Sequence, residues 1–203
     1  GIAKAKSEII KNIEPGGTII LNRDDKFFHY LFKKAKIRKI KITTFGTHKT
    51  SDICLKKIVK RGDKSNILLN IDSKNINLQI GDLNINNVLA SVAVLKELKI
   101  DILKIKNNFK YFESSEGRGK KHLISRYNKK FKLIDESYNA NPLSTKIAIK
   151  KLSSIKKEKF RKFLILGDML ELGSKSKKYH EELFKVINKS DIDKVFIKGK
   201  KTI

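Results

Sequence analysis

The chain has 203 residues, of which 47 are Lys or Arg and 21 are Asp or Glu, so its formal net charge is +26. This length allows one large domain or two modest ones, and a hydrophobic content of 39% excludes wholesale disorder. No apolar run approaches the roughly 20 residues that cross a bilayer, and we expect no signal peptide and no membrane span. The single cysteine, Cys54, excludes an internal disulfide and any multi-cysteine zinc site, which is typical of a cytoplasmic protein.

The large positive charge permits two interpretations. Clustered basic residues neutralise phosphates, which would indicate a basic nucleic-acid-binding α/β module. However, 41 of the basic residues are Lys and only 6 are Arg, whereas base and phosphate recognition favours Arg. Lys, Ile and Asn, which all have A/T-rich codons, supply 85 of the 203 residues. We therefore favour drift in base composition, and the nucleic-acid hypothesis stays as the alternative.

The first half of the sequence predicts short helices and strands. Residues 2–13 show helical periodicity, with an apolar face made of Ile2, Ile9, Ile10 and Ile13. An apolar run at 18–21 predicts a buried strand, and Asp24-Asp25 are positioned to cap the helix that follows it. Several strands, partly antiparallel, are predicted between residues 39 and 80, and helices are predicted over 84–98 and 101–109. The face predicted for the helix over 84–98 consists of Val88, Leu89, Val92 and Leu95.

The second half alternates strands with helices. Alternation at this spacing is typical of a parallel sheet with right-handed crossovers, so the expected fold class is α/β with a mostly parallel sheet. Ser, Glu and Gly concentrate between residues 114 and 121, which predicts domains at 1–117 and 118–203. The predicted strands are 131–135, 163–166 and 195–198, and the predicted helices are 144–155 and 177–187.

Four segments stand out from the Lys, Ile and Asn background. They are GIAKAKSEI at 1–9, GDLNINNVLA at 81–90, DESYNANPLS at 135–144 and GDMLELG at 167–173. The last two place polar residues and glycines directly after apolar strands, where ligands bind in open α/β sheets. Either loop alone is explained as well by helix capping or by a turn. Two such loops after successive strands favour a binding site.

These segments, together with Asn22-Arg23-Asp24-Asp25 and Tyr179-His180, resemble the Mur ligase family over essentially the whole chain. DESYNANP and GDMLELG are similar to the branch of that family that adds D-alanyl-D-alanine. The resemblance implies the latter part of a central ATPase domain, followed by the first part of a Rossmann-like C-terminal domain. It also implies ATP-driven amide formation through an acyl phosphate, in the cytoplasmic steps of peptidoglycan synthesis.

The same resemblance implies the cofactors and partners. The cofactors are ATP and Mg²⁺, and the substrates are UDP-N-acetylmuramoyl-tripeptide and D-alanyl-D-alanine. We expect no nucleic-acid partner and a monomeric protein. The family's Gly-x-x-Gly-Lys-Thr/Ser phosphate loop is absent from these 203 residues, so we expect no catalysis from them alone, whether as a fragment or as a degenerate paralogue. A different Mur-type amide ligase is the nearest alternative.

The resemblance assigns roles to three residues of the first half. Lys6 matches a carbamylated lysine, whose carbamate helps to hold a magnesium ion. Asn87 matches an asparagine that hydrogen-bonds adenine, and Asn84 matches the other asparagine of that motif, which supports the helix start. The sequence departs from the family at Leu83, where a histidine is usual, so a detail of the adenine pocket is in doubt.

In the second half, the resemblance assigns Arg118 to the ATP phosphates. Guanidinium geometry suits bidentate phosphate contact, and the flanking Gly117 and Gly119 allow close backbone approach. An acidic pair opens the following loop and places a carboxylate near the nucleotide, but the sequence does not decide which of the two approaches it. His180 is compatible with either a ligand or a surface residue and is left unassigned. The loop residues concerned are Asp135 and Glu136, with Asn139 and Asn141 shaping the loop towards substrate.

Overall fold

A computed structural model of the chain describes residues 2–62, 64–156 and 160–200. Gly1 and Asp63, which belong to segments discussed above, therefore lie outside the described residues. The chain divides into two units, Gly1–Ser114 and Ser115–Ile203, and each contains both helices and strands, as the α/β class predicts. In the described ranges, no helix is both long enough and apolar enough to cross a membrane.

The first unit contains a five-stranded sheet whose strands lie side by side in chain order. The first three strands are parallel, and the last three are antiparallel, which confirms the partly antiparallel region predicted between residues 39 and 80. Its elements in chain order are α1 Ile2–Lys6, a 3₁₀ helix Ser7–Asn12, β1 Thr18–Asn22, α2 Phe28–Ile37, β2 Lys41–Gly46, β3 Ile53–Arg61, β4 Lys64–Ile71, β5 Lys74–Ile80, α3 Ile85–Glu97, α4 Ile102–Ile105 and a 3₁₀ helix Lys106–Tyr111.

Helix α3 forms the core of the first unit with the sheet. Its buried side chains come from one face because residues three and four apart lie on the same side of an α-helix. Leu95, which the sequence placed on this face, packs at its margin and is partly buried. The central residues of this core are Val88, Leu89, Val92 and Ala93 from α3, and Ile53, Ile67, Leu69 and Leu78 from the strands.

The helix predicted over residues 2–13 is confirmed as far as Asn12, but its winding and its apolar face differ from the prediction. The α-helix ends at Lys6 and continues as a 3₁₀ helix, which has three residues per turn instead of 3.6. The tighter winding rotates successive side chains away from the predicted face. Ile10 is 2% exposed, whereas Ile9 is 64% exposed, so the predicted apolar face is wrong at Ile9.

The expectation that Asp24-Asp25 cap helix α2 is also wrong. The residue at the cap position is Phe27, and no side chain caps this helix. Asp25 instead accepts the Phe27 amide within the turn (2.7 Å). Asp24 accepts the amide of Thr47 (2.7 Å), which follows β2. The two aspartates therefore organise the turn after β1 and tie it to the neighbouring strand end.

The second unit contains an antiparallel hairpin and a parallel strand pair. The strand predicted at 131–135 pairs antiparallel with a strand at Lys120–Arg126, which the sequence did not predict. Strands β8 and β9 are parallel, as expected, with α6 between them in the chain. The elements are β6 Lys120–Arg126, β7 Lys129–Asp135, α5 Pro142–Ser154, β8 Phe163–Gly167, a 3₁₀ helix Gly173–Lys175, α6 Ser176–Ile187 and β9 Lys194–Lys198.

Helices α5 and α6 pack on the β8–β9 pair and build the core of the second unit. The apolar part of this core includes Ile149, Leu166, Met169, Leu183 and Ile187. Next to it, the imidazole of His180 is 2% exposed. Its Nε2 accepts the Met169 amide (3.0 Å), and its Nδ1 lies 2.8 Å from the Ser176 carbonyl oxygen. The neutral tautomer with the proton on Nδ1 satisfies both contacts, so His180 links α6 to the loop after β8.

A carboxylate on α3 fixes that helix to the parallel strands. Glu97 is 14% exposed at its side chain and forms an ion pair with Lys41 (2.7 Å). It also accepts hydrogen bonds from the hydroxyls of Thr43 (2.6 Å) and Thr18 (3.3 Å). Hydrogen bonding to Lys41, followed by that to Thr43, holds the pKa of the Glu97 carboxyl below its usual value. The charged form is therefore stabilised by folding.

We expect Glu97→Gln to lower the free energy of unfolding by about 1 kcal/mol at neutral pH, because the ion pair with Lys41 is lost. The folded-state pKa is lowered, so this contribution is complete above the ordinary glutamate pKa of about 4.3 and is lost as pH falls through the folded-state pKa. Urea titrations of both proteins across this pH range would measure it. Glu14→Gln, an exposed change in the same unit, is the control. The prediction would be contradicted if the difference in unfolding free energy between the wild type and Glu97→Gln stayed constant down to the most acid pH.

We expect His180→Leu to destabilise the second unit by about 1–3 kcal/mol, because the buried Met169 amide loses its acceptor. His180→Gln, which offers an acceptor at nearly the same position, should recover part of this loss. Hydrogen exchange at the Met169 amide reports on the contact directly, and His29→Leu on the exposed surface of α2 is the control. Equal exchange rates at Met169 in the wild type and His180→Leu would show that the contact contributes nothing.

Candidate active site

Two motifs that are separate in the sequence meet in the second unit. The Gly117-Arg118-Gly119 turn precedes β6, and the DESYNANP loop follows β7. The amide of Tyr138 donates to the Gly117 carbonyl (3.1 Å), and the amide of Gly119 donates to the Asp135 carbonyl (2.7 Å). Both glycines have positive φ, of +69° and +92°. A Cβ at Gly117 would lie 2.6 Å from the Tyr138 Cβ, so only glycine permits this approach.

The carboxylate of Asp135 holds the turn and the loop together. One oxygen accepts the Gly117 amide (3.0 Å), and the other accepts the Ser137 amide (3.0 Å). Hydrogen bonds from Ser137, with a further one from the Gly117 amide, hold the pKa of the Asp135 carboxyl below its usual range. Asp135 is therefore ionised at neutral pH and acts on the backbone of both segments.

Arg118 lies between the two buried glycines and is itself exposed. Its guanidinium carbon is 4.3 Å from the centre of the Tyr138 ring, which is a cation–π contact. Glu136 lies on the same loop, and a Cβ at Gly119 would be 3.0 Å from its carboxylate. The structure thus brings together Arg118, Asp135 and Glu136, three of the residues that the sequence assigned to the nucleotide.

A group that sequence reasoning missed surrounds Asp135. The carboxylate of Glu116 pairs with the ammonium of Lys120 (2.5 Å) and with Nε2 of His122 (3.2 Å). Hydrogen bonding to Lys120 holds the pKa of the Glu116 carboxyl below its usual value. Neither Glu116 nor His122 belongs to a recognisable motif. His122 lies near Asp135 because of the hairpin register, in which Asp135 pairs with Lys120, two residues before His122.

Glu116, His122 and Asp135 are also the one group in the described ranges whose atoms are spaced to hold a metal ion, within 4.8 Å of one another. Their present contacts argue against that role. Lys120 already neutralises Glu116, and both Asp135 oxygens accept backbone amides. We therefore assign this group to the support of the Arg118 turn.

The asparagines of the DESYNANP loop divide into two kinds. Asn141 is the N-cap of α5, and its side-chain oxygen accepts the amides of Leu143 (3.0 Å) and Ser144 (2.9 Å). The Ser144 hydroxyl completes a capping box with the Asn141 backbone. Asn139 is exposed on the loop. Both side chains are exposed, but that of Asn141 shapes the loop by capping α5.

In the first unit, Lys6 is the last residue of α1 and is exposed. The buried Ser7 anchors this helix end, since its hydroxyl donates to the Lys4 carbonyl (2.6 Å) and accepts from Lys34 on α2 (2.9 Å). Tyr30 lies beside them, and hydrogen bonding to Lys34 lowers the pKa of its phenol. The hydrogen bond between Ser7 and Lys34 thus attaches the segment that carries Lys6 to α2.

The GDLNINNVLA segment has three asparagines at the start of α3, and two of them, Asn84 and Asn87, were assigned roles by the resemblance. Asn84 is the N-cap, and its side-chain oxygen accepts the Asn86 amide (2.9 Å), which confirms the helix-start role expected for it. Asn87 is exposed in the first turn of the helix, where its side-chain amide is accessible. The side-chain amide of Asn87 thus offers both a hydrogen-bond donor and an acceptor to a ligand.

Comparison with known proteins gives a consistent result for both units. The Mur ligase middle domain matches residues 1–95, and the Mur ligase glutamate ligase domain matches residues 122–202. A UDP-N-acetylmuramoyl-tripeptide–D-alanyl-D-alanine ligase of Buchnera aphidicola is 33% identical over 98% of this chain and 43% of that protein.

Solved structures agree with these sequence matches. MurF from Acinetobacter baumannii is 26% identical, with a TM-score of 0.81, over 98% of this chain and 42% of that one. MurF ligase from Thermotoga maritima, solved in complex with ADP, shares the fold at 24% identity with a TM-score of 0.72, over 97% of this chain and 43% of that one. The chain therefore spans less than half of the length of these relatives. Since two domain models of one family match most of its residues, the chain belongs to the Mur ligase family.

Proposed function

We propose that these residues act within an ATP-dependent ligase that joins D-alanyl-D-alanine to UDP-N-acetylmuramoyl-tripeptide in the cytoplasm. The observation that carries this proposal is the match to a ligase of that name over 98% of the chain. The DESYNANP and GDMLELG segments support the same branch of the family. Because the chain spans 43% of that relative, the activity belongs to a longer protein. In it, residues 1–117 form the latter part of the ATP-binding domain, and residues 118–203 form the first part of the C-terminal domain.

The reaction needs negative charge to be neutralised and two substrates to be aligned. The γ-phosphoryl group of ATP passes to the tripeptide carboxylate, and the amine of D-alanyl-D-alanine then displaces phosphate from the acyl phosphate. Arg118 contributes a guanidinium for the phosphate oxygens, and Asp135 keeps its turn in place. Asn87 contributes the donor and acceptor that an adenine edge requires. Glu136 and Asn139 complete the loop that faces the substrates.

Magnesium is the cofactor that the family implies besides ATP. Lys6 is exposed at the end of α1, so its amine is accessible to carbon dioxide, and a carbamate there would present oxygen atoms of the kind that Mg²⁺ prefers. The ion supplies positive charge at the phosphates when it is bound. Ser7 and Lys34 contribute by fixing the helix end that carries Lys6. One carbamate is a partial ligand set, which is consistent with a site shared with other parts of a longer ligase.

An acceptor screen tests the proposed substrate. The complete ligase containing these residues should release phosphate from ATP in the presence of the muramoyl tripeptide and D-alanyl-D-alanine. L-glutamate and single D-amino acids should be poor acceptors, at least tenfold below the dipeptide in kcat/KM. Coupled phosphate release and mass spectrometry of the product measure both. Preferred use of L-glutamate would instead support a different Mur-type ligase.

A substitution at Lys6 tests the carbamate. We expect Lys6→Ala to abolish turnover in the complete ligase and short carboxylic acids to restore part of it, because they replace the missing oxygen ligands. Lys4→Ala, also exposed on α1, should keep wild-type turnover. Labelling with ¹³C-bicarbonate should show a carbamate signal in the wild type that Lys6→Ala lacks. Full activity of Lys6→Ala would contradict the proposed carbamate at Lys6.

A further inference from the structure

The contact between Arg118 and Tyr138 leaves the binding edge of the arginine available. The guanidinium carbon lies over the Tyr138 ring, 4.3 Å from its centre, so the arginine contacts the π face of the ring. A guanidinium carries five N–H donors in a planar fork, and a ring face offers no lone pair to satisfy them, so the contact leaves donors for a ligand. Arg118 is therefore held by an aromatic surface while its donors can still bind a doubly or triply charged anion.

The position of the ring is itself determined by backbone contacts. The Tyr138 amide donates to Gly117, the residue directly before Arg118 (3.1 Å). The absence of a side chain at Gly117 allows the two backbones to touch. Asp135 then joins both segments through the amides of Gly117 and Ser137. The backbone segments that carry the guanidinium and the ring are thus joined to each other by hydrogen bonds.

We propose that Tyr138 is a positioning residue for Arg118, holding its guanidinium ready for the phosphate oxygens of ATP. This inference rests on the proposed function, because it takes ATP as the anion that Arg118 binds. A long, exposed arginine loses rotamer freedom when it binds an anion. The cation–π contact with Tyr138 restricts those rotamers before ATP binds, so less binding free energy is lost to ordering the side chain. The ring, and not the hydroxyl, is the part that this role requires.

The chain contains a matched pair for comparison. Arg126 lies 4.9 Å from the ring of Tyr127 at the turn between β6 and β7. Tyr127 is 80% exposed and Tyr138 is 67% exposed, so both contacts are at the surface of the same unit. The two pairs have the same chemistry, but only one belongs to the turn that Asp135 holds. Tyr127→Leu therefore controls for the loss of an exposed cation–π contact in general.

The test compares steady-state kinetics of variants in the complete ligase. Tyr138→Leu should lower kcat/KM for ATP by about twofold to fivefold, the range expected for an exposed cation–π pair, and leave KM for D-alanyl-D-alanine unchanged. Tyr138→Phe keeps the ring and should stay close to the wild type, as should Tyr127→Leu. In an Arg118→Ala background, Tyr138→Leu should have no further effect, because the group that it positions is gone. Thermal unfolding of each variant checks that the fold is kept.

Three results separate this inference from the function on which it rests. Wild-type kcat/KM for ATP in Tyr138→Leu would overturn the positioning role. An equal loss from Tyr138→Leu with and without Arg118 would also overturn it, since the ring would then act independently of the arginine. Wild-type activity in Arg118→Ala would instead refute the phosphate-binding role proposed for Arg118.

Discussion

The candidate site of the second unit depends on the ionised carboxylate of Asp135. Its two oxygens accept amides from segments on either side of the β6–β7 hairpin, so one side chain determines where both segments lie. A neutral amide has one acceptor oxygen and could not replace both contacts. Gly117 adds a second constraint, because its missing side chain lets the Tyr138 backbone approach. The placement of Arg118 follows from these two conditions together.

Carboxylates are the scarce charged group in this chain, and the structure uses them for specific contacts. Glu97, Glu116 and Glu182 each pair with a lysine, and each has a pKa below its usual value for that reason. Folding therefore favours the ionised forms, and the resulting stabilisation is lost when acid protonates them. The basic residues exceed the acidic ones by 26, and most of the lysines are exposed. Most of the positive charge is therefore at the surface, whereas carboxylates such as Glu97 connect elements.

Features that depend on residues close together in the chain were predicted better than features that depend on contacts between distant residues. The α3 face was predicted because its periodicity is local and its residues are strongly apolar. Strand β6 was missed because only Leu123 and Ile124 interrupt its polar sequence, and its pairing with β7 supplies the structure. The helix over residues 2–13 was predicted, but its apolar face was wrong at Ile9, because an apolar pattern does not show a change from α to 3₁₀ winding. Asp24 was misassigned because its partner, Thr47, lies 23 residues away.

The sequence by itself determined the α/β class and the segments that resemble a Mur ligase, since residue types and short spacings carry both. It also singled out Lys6, Asn87 and Arg118 as candidates, through motifs that are each continuous in the chain. Only the tertiary structure decided that Arg118 lies over the Tyr138 ring and that Asp135 joins their loops. The reason is physical: these contacts connect residues about 20 positions apart. They are made by backbone amides and carbonyls, and by the close packing of the Tyr138 backbone against Gly117. Such geometry depends on how strands pair and turn, and no local pattern of side chains encodes it.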